Sequence, residues 1–401
     1  MKDIRQALNH LPEGLQETYE NILGKVEPGY VEIVKQTLQW LVCDVSTLTL
    51  AELYECLAIE QDMDHIDEEA QLSSPMDIYD LCGSLITVTA EGGVILAHLS
   101  VKDYLLSDAI KHGKASAFAL SLPQANAENA FKCLTYLSFA EFRTGPSRTA
   151  NEFEARLLAH PFLEHTSRFW VTYAENSGFA SEELKGRVLE FFTPSFRPQF
   201  MSWLQVICSV VVHNYYPKHA TPLYYAASFG IEHVVRALLE QGAEVDATGG
   251  RLGATAFHAA ALRGHVKVMD ILFQNGADPN KMDFIKKTPL NSAALVDNVE
   301  VIRYLLEHGA DPDIRDDRHM TAYDWACALG HDETRKLLEP VTVEENADNG
   351  RFLPALAPTH GKEDLSKCRI AFVAYEEGDS SVQRVTRENS ADAKSRISSK
   401  S

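Results

Sequence analysis

The side chains in this sequence that could do chemistry are few, and their spacing limits what they can do. His65 stands among Asp62, Asp64, Asp67, Glu68 and Glu69, all oxygen or nitrogen donors. These carboxylates lack a ligand spacing such as that of a calcium loop, so the cluster reads as a solvated acidic loop. Seven cysteines, at 43, 56, 82, 133, 208, 327 and 368, include no C-x-x-C pair. That argues against a zinc site or a disulfide framework and for reduced thiols in a cytosolic or nuclear compartment. A phosphate cradle needs G-x-x-x-x-G-K-[S/T], because backbone N–H groups hold phosphate while the Lys and hydroxyl serve the γ-phosphate and Mg²⁺. Gly24-Lys25 and Gly113-Lys114 both lack the earlier Gly and the following Ser or Thr. There is no G-x-S-x-G elbow, no H-E-x-x-H and no dinucleotide fingerprint. The residues therefore assign no catalytic group, no metal and no cofactor, and the chain reads as a non-enzyme.

Chemistry of another kind, recognition, is written in a repeat. Thr221-Pro222-Leu223-Tyr224 recurs as Thr255-Ala256-Phe257-His258, Thr288-Pro289-Leu290-Asn291 and Thr321-Ala322-Tyr323-Asp324, at intervals of 34, 33 and 33 residues. Gly242-Ala243-Glu244, Gly276-Ala277-Asp278 and Gly309-Ala310-Asp311 keep the same phase. Thr caps a helix, and Pro suits the first helical position. Small residues, Ala226-Ala227, Ala259 to Ala261 and Ala293-Ala294, let helices approach closely. A second helix carries an apolar stripe that no single unit can bury: Val234, Val235, Leu238, Leu239, then Val268, Met269, Ile271, Leu272, then Val301, Ile302, Leu305, Leu306. Each Gly falls where a second helix must end in the left-handed conformation. This stretch, residues 217–340, closely resembles four ankyrin repeats, each a β-turn and two helices. In the fourth, Thr and Lys at stripe positions suit an outward-facing cap.

The register names the residues that would meet a partner. On the helices these are Phe229 and Arg263, with Val296, Asp297 and Leu329 at related positions. At the tips they are Met282, Phe284, Ile285, Lys286 and Lys287, then Arg315, Arg318 and His319. Phe284 and Ile285 beside Lys286 and Lys287 look like an exposed interface anchor. A Gly is usual two residues before the Thr, and Gly253 keeps it, but His219, Lys286 and His319 replace it elsewhere. If those positions stay left-handed, each side chain costs about 1 kcal/mol.

The 401 residues carry a net charge of −20, with 45% hydrophobic and 23% charged residues. That is a globular composition, and its charge argues against nucleic-acid or anionic-membrane partners. The best apolar run, Val206 to Val212, is far too short to span a bilayer.

Ahead of the repeats, residues 5–27 read as helix and a second helix follows Pro28. Thr49-Leu50-Ala51-Glu52 is a capping box stapled by Leu48 and Leu53. Leu85 to Thr89 and Val94 to His98 read as a hairpin about Ala90-Glu91-Gly92-Gly93, and Ser100 to Asp103 as another capping box. This order resembles a winged helix. Glu52, Glu55 and Glu60, with no Lys or Arg, make its capped helix a poor phosphate reader. Residues 113–216 read as a helical linker broken at Pro123, Gly145-Pro146, Gly178 and 193–198. Its aromatics Phe162, Phe169, Trp170 and Tyr173 sit at core spacing. The amphipathic stretch 200–212 is expected to cover the first repeat.

Leu11-Pro12-Glu13-Gly14-Leu15, Glu17-Thr18-Tyr19, Leu96 to Leu105, Pro161-Phe162-Leu163 and Trp203-Leu204-Gln205 together resemble the C-terminal part of fungal NACHT/STAND-type signalling proteins. That resemblance implies a nucleotide-binding remnant at 1–27, a winged-helix-like domain at 28–112, the linker and then a sensor of repeats. It implies for His98 a contact to nucleotide phosphate, although the P-loop core is missing. Residues 341–401 turn acidic and then Ser-, Arg- and Lys-rich and read as a mostly disordered tail. The expected fold is mainly α. The expected function is a non-catalytic module binding a protein partner on the concave ankyrin surface; the alternative is a regulatory fragment of a STAND-type switch.

Overall fold

The computed structural model describes residues 13–60, 63–66, 72–179, 181–208, 219–250 and 252–339. The expected tail, the start of the first helix and residues 209–212 of the expected cap lie outside them. The chain divides between Ile207 and Cys208 into two compact units.

The first unit opens with α1 (Glu13–Leu23) and α2 (Val31–Cys43). β1 (Leu48–Thr49) leads into α3 (Leu50–Leu57) through the expected capping box. Thr49 N–H donates to Glu52 Oε2 at 2.7 Å and Glu52 N–H to Thr49 Oγ1 at 3.2 Å. Leu48 and Leu53 are buried beside it. Next comes α4 (Pro75–Cys82), a helix the sequence reading did not assign. Its signal was short: Ser74 caps, Pro75 fills the first position and Asp77 closes the box, with Ser74 N–H to Asp77 Oδ2 at 2.8 Å. β2 (Ile86–Val88) and β3 (Gly93–Leu96) form the hairpin, and the antiparallel sheet has the order β1-β3-β2. Helix, strand, two helices and a hairpin make a winged helix. The helix just before the hairpin, where a groove reader sits, is therefore α4 and not the Thr49-capped α3. It carries Asp77 and Asp80 and no Lys or Arg.

The linker helices are α5 (Leu99–Leu105), α6 (Asp108–His112), α7 (Leu122–Leu137), α8 (Ala150–Ala159), α9 (Phe162–Asn176), α10 (Glu182–Phe191) and α11 (Arg197–Cys208). Pro123 does not break a helix; it lies in the first turn of α7, where a missing N–H costs nothing. Phe162, Trp170 and Tyr173 of the aromatic stripe are core, as their spacing implied, and Phe169 is half-buried. Trp40 of α2 packs edge-on to Phe162 (5.4 Å) and Tyr173 (5.3 Å). Trp170, Phe191, Phe192, Phe200 and Trp203 form a second cluster, so Phe200 and Trp203 of the expected repeat cover are buried in the first unit.

The second unit stacks four helix pairs: α12 (Pro222–Ser228) with α13 (Glu232–Glu240), α14 (Ala256–Arg263) with α15 (Val266–Gln274), α16 (Pro289–Leu295) with α17 (Val299–Glu307), and α18 (Ala322–Leu329) with α19 (Asp332–Leu338). First helices pack in series, and so do second helices. The stripe is buried except Leu239 and Leu306, which are half-exposed. Gly242, Gly276 and Gly309 take φ of 88°, 89° and 85° where the second helices end. In the last repeat Thr334 is not an outward-facing position. It is fully buried in the stripe, and its hydroxyl donates to Asp297 Oδ1 at 2.8 Å. Asp297 stands where the other repeats have Gly230, Gly264 and Gly330, with φ of 56°. It is a turn residue and not a concave one, which corrects the expected register there by one.

Candidate partner-binding surface

The hairpin tips are built by their first residue. Asp283 N–H donates to Lys287 O (2.9 Å) and Lys286 N–H to Asp283 O (3.0 Å), closing a tight turn. Asp283 Oδ1 accepts the N–H groups of Ile285 (3.0 Å) and Lys287 (2.8 Å). Asp316 repeats the design: Oδ1 accepts from Arg318 and Met320, both at 2.9 Å. The fourth residue of each turn is left-handed, at φ 60° in Lys286, 60° in His319 and 75° in Gly253. The hairpins have not reshaped around the missing glycines, and Lys286 and His319 carry that backbone cost.

Gly253 has a second reason to lack a side chain. A Cβ there would lie 2.5 Å from the Phe284 ring of the next tip. Phe284 N–H also donates to Leu252 O at 2.7 Å, and Asp317 N–H to Ile285 O at 3.0 Å. Backbone bonds thus join successive tips into one row.

The tips bring together most, not all, of the predicted contact residues. Met282 is 50% exposed and Phe284 74% exposed. Lys286, Arg318 and His319 are exposed as well. Ile285 is half-buried and its carbonyl accepts Asp317 N–H of the next tip, so it is not part of an exposed pair. Lys287 is also half-buried, with Nζ 5.0 Å from the centre of the Trp325 ring. Burial lowers its pKa, against the pull of Asp316 and Asp283. Arg315 Nη1 donates to His319 O at 2.9 Å and lies 3.5 Å from Asp324 Oδ2, so it braces the tip. Phe229 and Arg263 are half-buried at the far ends of the first helices. A helix of eight residues puts them about 12 Å from the tips.

Sequence reasoning counted Asp316 among the tip positions without giving it a role, and it missed Trp325. Trp325 Nε1–H donates to Asp316 Oδ2 at 2.8 Å, and Arg318 Cζ stands 5.8 Å from the same ring. The available signal was register: Trp325 occupies the position of Tyr225, Ala259 and Ser292, one residue past the T-P-L-H motif.

The remaining titratable residues singled out by the sequence make the following local contacts. His98 caps α5: Nδ1 accepts Ser100 N–H at 3.1 Å and lies 2.7 Å from Ser100 Oγ, which meets Tyr19 OH at 2.6 Å. Helix α5 begins at Leu99, so the cap is His98 and not Ser100. His98 is exposed. His65 Nδ1 bonds Asp64 Oδ1 at 2.7 Å, while 62 and 67–69 lie outside the described residues. Burial pushes the Cys43, Cys82 and Cys133 thiols up to about 12, which suppresses the nucleophilic thiolate. Glu55, expected as surface charge, is buried. Oε1 accepts Tyr136 OH and Oε2 accepts Phe162 N–H, both at 2.7 Å, so it joins α3 to α7 and caps α9. Burial, then the Glu55 carboxylate, hold the Tyr136 hydroxyl well above its ordinary range.

Comparison with known proteins agrees with both halves of this architecture. The family described as "Ankyrin repeats (3 copies)" matches residues 199–283 and 284–349. "GPI inositol-deacylase, winged helix domain" matches residues 26–121. The chain carries ankyrin repeats and a winged-helix domain. It is 29% identical over 298 residues to "Azaphilone pigments biosynthesis cluster protein L" of Monascus ruber, covering 68% of this chain and 61% of that protein. Over 63 residues it is 43% identical to "Palmitoyltransferase Hip14" of Drosophila melanogaster, covering 16% of this chain and 10% of that protein. Over 105 residues it is 34% identical to "Inactive serine/threonine-protein kinase TEX14" of Mus musculus, covering 26% and 7%. The chain therefore spans less than two thirds of each of these relatives.

Proposed function

We propose that the chain is a non-catalytic interaction module that holds a protein partner on its ankyrin tips and first helices. The observation that carries this reading is the exposure of Phe284 (74%) and Met282 (50%) on tips whose backbones are bonded to one another. Large apolar side chains held rigidly in water bind with little further loss of conformational entropy. The test replaces Phe284 and Met282 with Ser and compares quantitative pull-downs with the unaltered chain, alongside thermal melting. Lost partners at unchanged melting support the surface; an unchanged partner set refutes it.

This reading assigns no reaction to the chain, and the deacylase and palmitoyltransferase names stay with those proteins. The acidic α4 argues against DNA as the partner of the winged helix. The free thiols Cys43, Cys56, Cys82, Cys133 and Cys327 favour a reducing, cytosolic or nuclear setting. A second reading, a regulatory part of a nucleotide-driven switch, draws on the exposed His98 at the cap of α5. Titration with ADP tests it: tight binding lost in His98→Ala supports it, and no binding removes it.

A further inference from the structure

The two tips after repeats 2 and 3 use their leading carboxylates internally and leave their cations outward. In a chain of net charge −20 the second helices turn both signs outward, with Glu240, Asp332 and Glu333 beside Arg236, Lys267 and Lys336. On the tips the first-residue carboxylates are spent internally. Asp316 is 2% exposed and bonded to two backbone N–H groups and an indole. Asp283 is bonded to two backbone N–H groups. What the tips turn outward is Lys286 and Arg318, with Asp317 as the opposing exposed charge, and the half-buried Lys287 beneath them.

These cations surround a fixed aromatic surface. Asp316 locks the Trp325 indole, Lys287 and Arg318 lie within 6.0 Å of its ring centre, at 5.0 and 5.8 Å, and Phe284 projects from the neighbouring tip. Lys287 is poorly solvated, and its partly buried ammonium gains from an incoming anion more than a free lysine would. A carboxylate placed there would add charge-assisted hydrogen bonds to cations already aligned on the indole.

We propose that the partner is an acidic peptide segment, whose carboxylates meet Lys286, Lys287 and Arg318 while an apolar side chain lies against Phe284 and Met282. The proposal rests on the interaction reading above and adds the chemistry of the partner. Opposite charge at these tips would speed the encounter and fix the register of such a segment. Nucleic acid offers anions too, but a duplex or long strand would meet the chain's overall negative field.

The experiment selects random dodecapeptides displayed on phage against the full chain, then measures the affinity of synthetic winners by fluorescence anisotropy. The expected result is an excess of Asp and Glu over Lys and Arg in the selected peptides. Lys286→Glu with Arg318→Glu, both at exposed positions, should weaken binding about tenfold or more, and Lys-for-Glu peptides should recover it. Binding should also weaken as salt shortens the screening length from about 10 Å to about 3 Å. Neutral or basic winners that depend on Phe284 would overturn the acidic specificity and leave the interaction reading standing. Failure to enrich any peptide would remove both. Tighter binding of an oligo-thymidine strand or of phosphatidylserine vesicles to the same tips would also overturn the proposal.

Discussion

His258 offers the sharpest test of how the repeats are held. Its ring is 2% exposed, Nδ1 accepts Thr255 N–H at 3.2 Å, and Nε2–H donates to Lys287 O at 3.0 Å in the next repeat. The Nδ1 bond needs the neutral ring while the Nε2–H bond does not, and burial pushes the pKa down from 6.5 to about 4. The unfolded chain takes up this proton near pH 6.5 and the folded chain only near 4. The stability it contributes is therefore fully present above pH 6.5, lost between 6.5 and 4, and flat below. A shift from 6.5 to about 4 corresponds to about 3 kcal/mol. Asp283 works in the opposite sense. Its pKa is raised to about 6 by burial, so it holds its proton longer in the folded state and opposes the loss as pH falls. Comparison with His258→Asn removes that contribution, since Asp283 is common to both proteins. Asn291 shows that Asn can cap at this position, with Thr288 N–H to Asn291 Oδ1 at 2.9 Å. At pH 7.5 the variant lacks the bond to Lys287 O and should be less stable by about 1 kcal/mol. Near pH 4.5 it should be the more stable protein by about 1–2 kcal/mol, because the titrating ring is gone. Hydrogen exchange of peptides spanning 255–295 in the full chain reads the difference. A pH-independent difference, or a His258 ring that titrates near 6.5 by NMR, would refute the reasoning.

Two further perturbations separate backbone from side-chain effects. Gly253→Ala puts a Cβ at φ 75° and 2.5 Å from the Phe284 ring; it should cost about 1–2 kcal/mol, and less when Phe284 is already Ser, which a double-mutant cycle by urea denaturation checks. Glu55→Ala leaves Tyr136 OH and Phe162 N–H without their acceptor. That should cost about 2–5 kcal/mol in thermal melting of the first unit, and Glu55→Gln, which keeps one acceptor, should cost less. A neutral Glu55→Ala would show that the carboxylate does not join α3 to the linker.

What could be read without coordinates was whatever repeats or closes within a few residues. The 33-residue period, the Thr caps and the glycines ending each second helix are local, because a cap or a left-handed residue acts within one turn of its own chain. The Thr49–Glu52 box was legible for the same reason, and the Ser74–Asp77 box was legible in principle and overlooked. Contact order set the limit. Glu55 reads as one more surface acid until Tyr136 and Phe162, 81 and 107 residues away, close over it. Lys287 reads as an exposed tip cation until Trp325 slides beneath it. Asp297 and Thr334 each break a local rule, one replacing glycine and the other an apolar residue, and only their 2.8 Å bond makes the pair coherent. Period and composition thus determined that this chain builds a solenoid surface. Which side chains that surface presents was decided by tertiary packing, because burial and pairing are properties of residues distant in sequence.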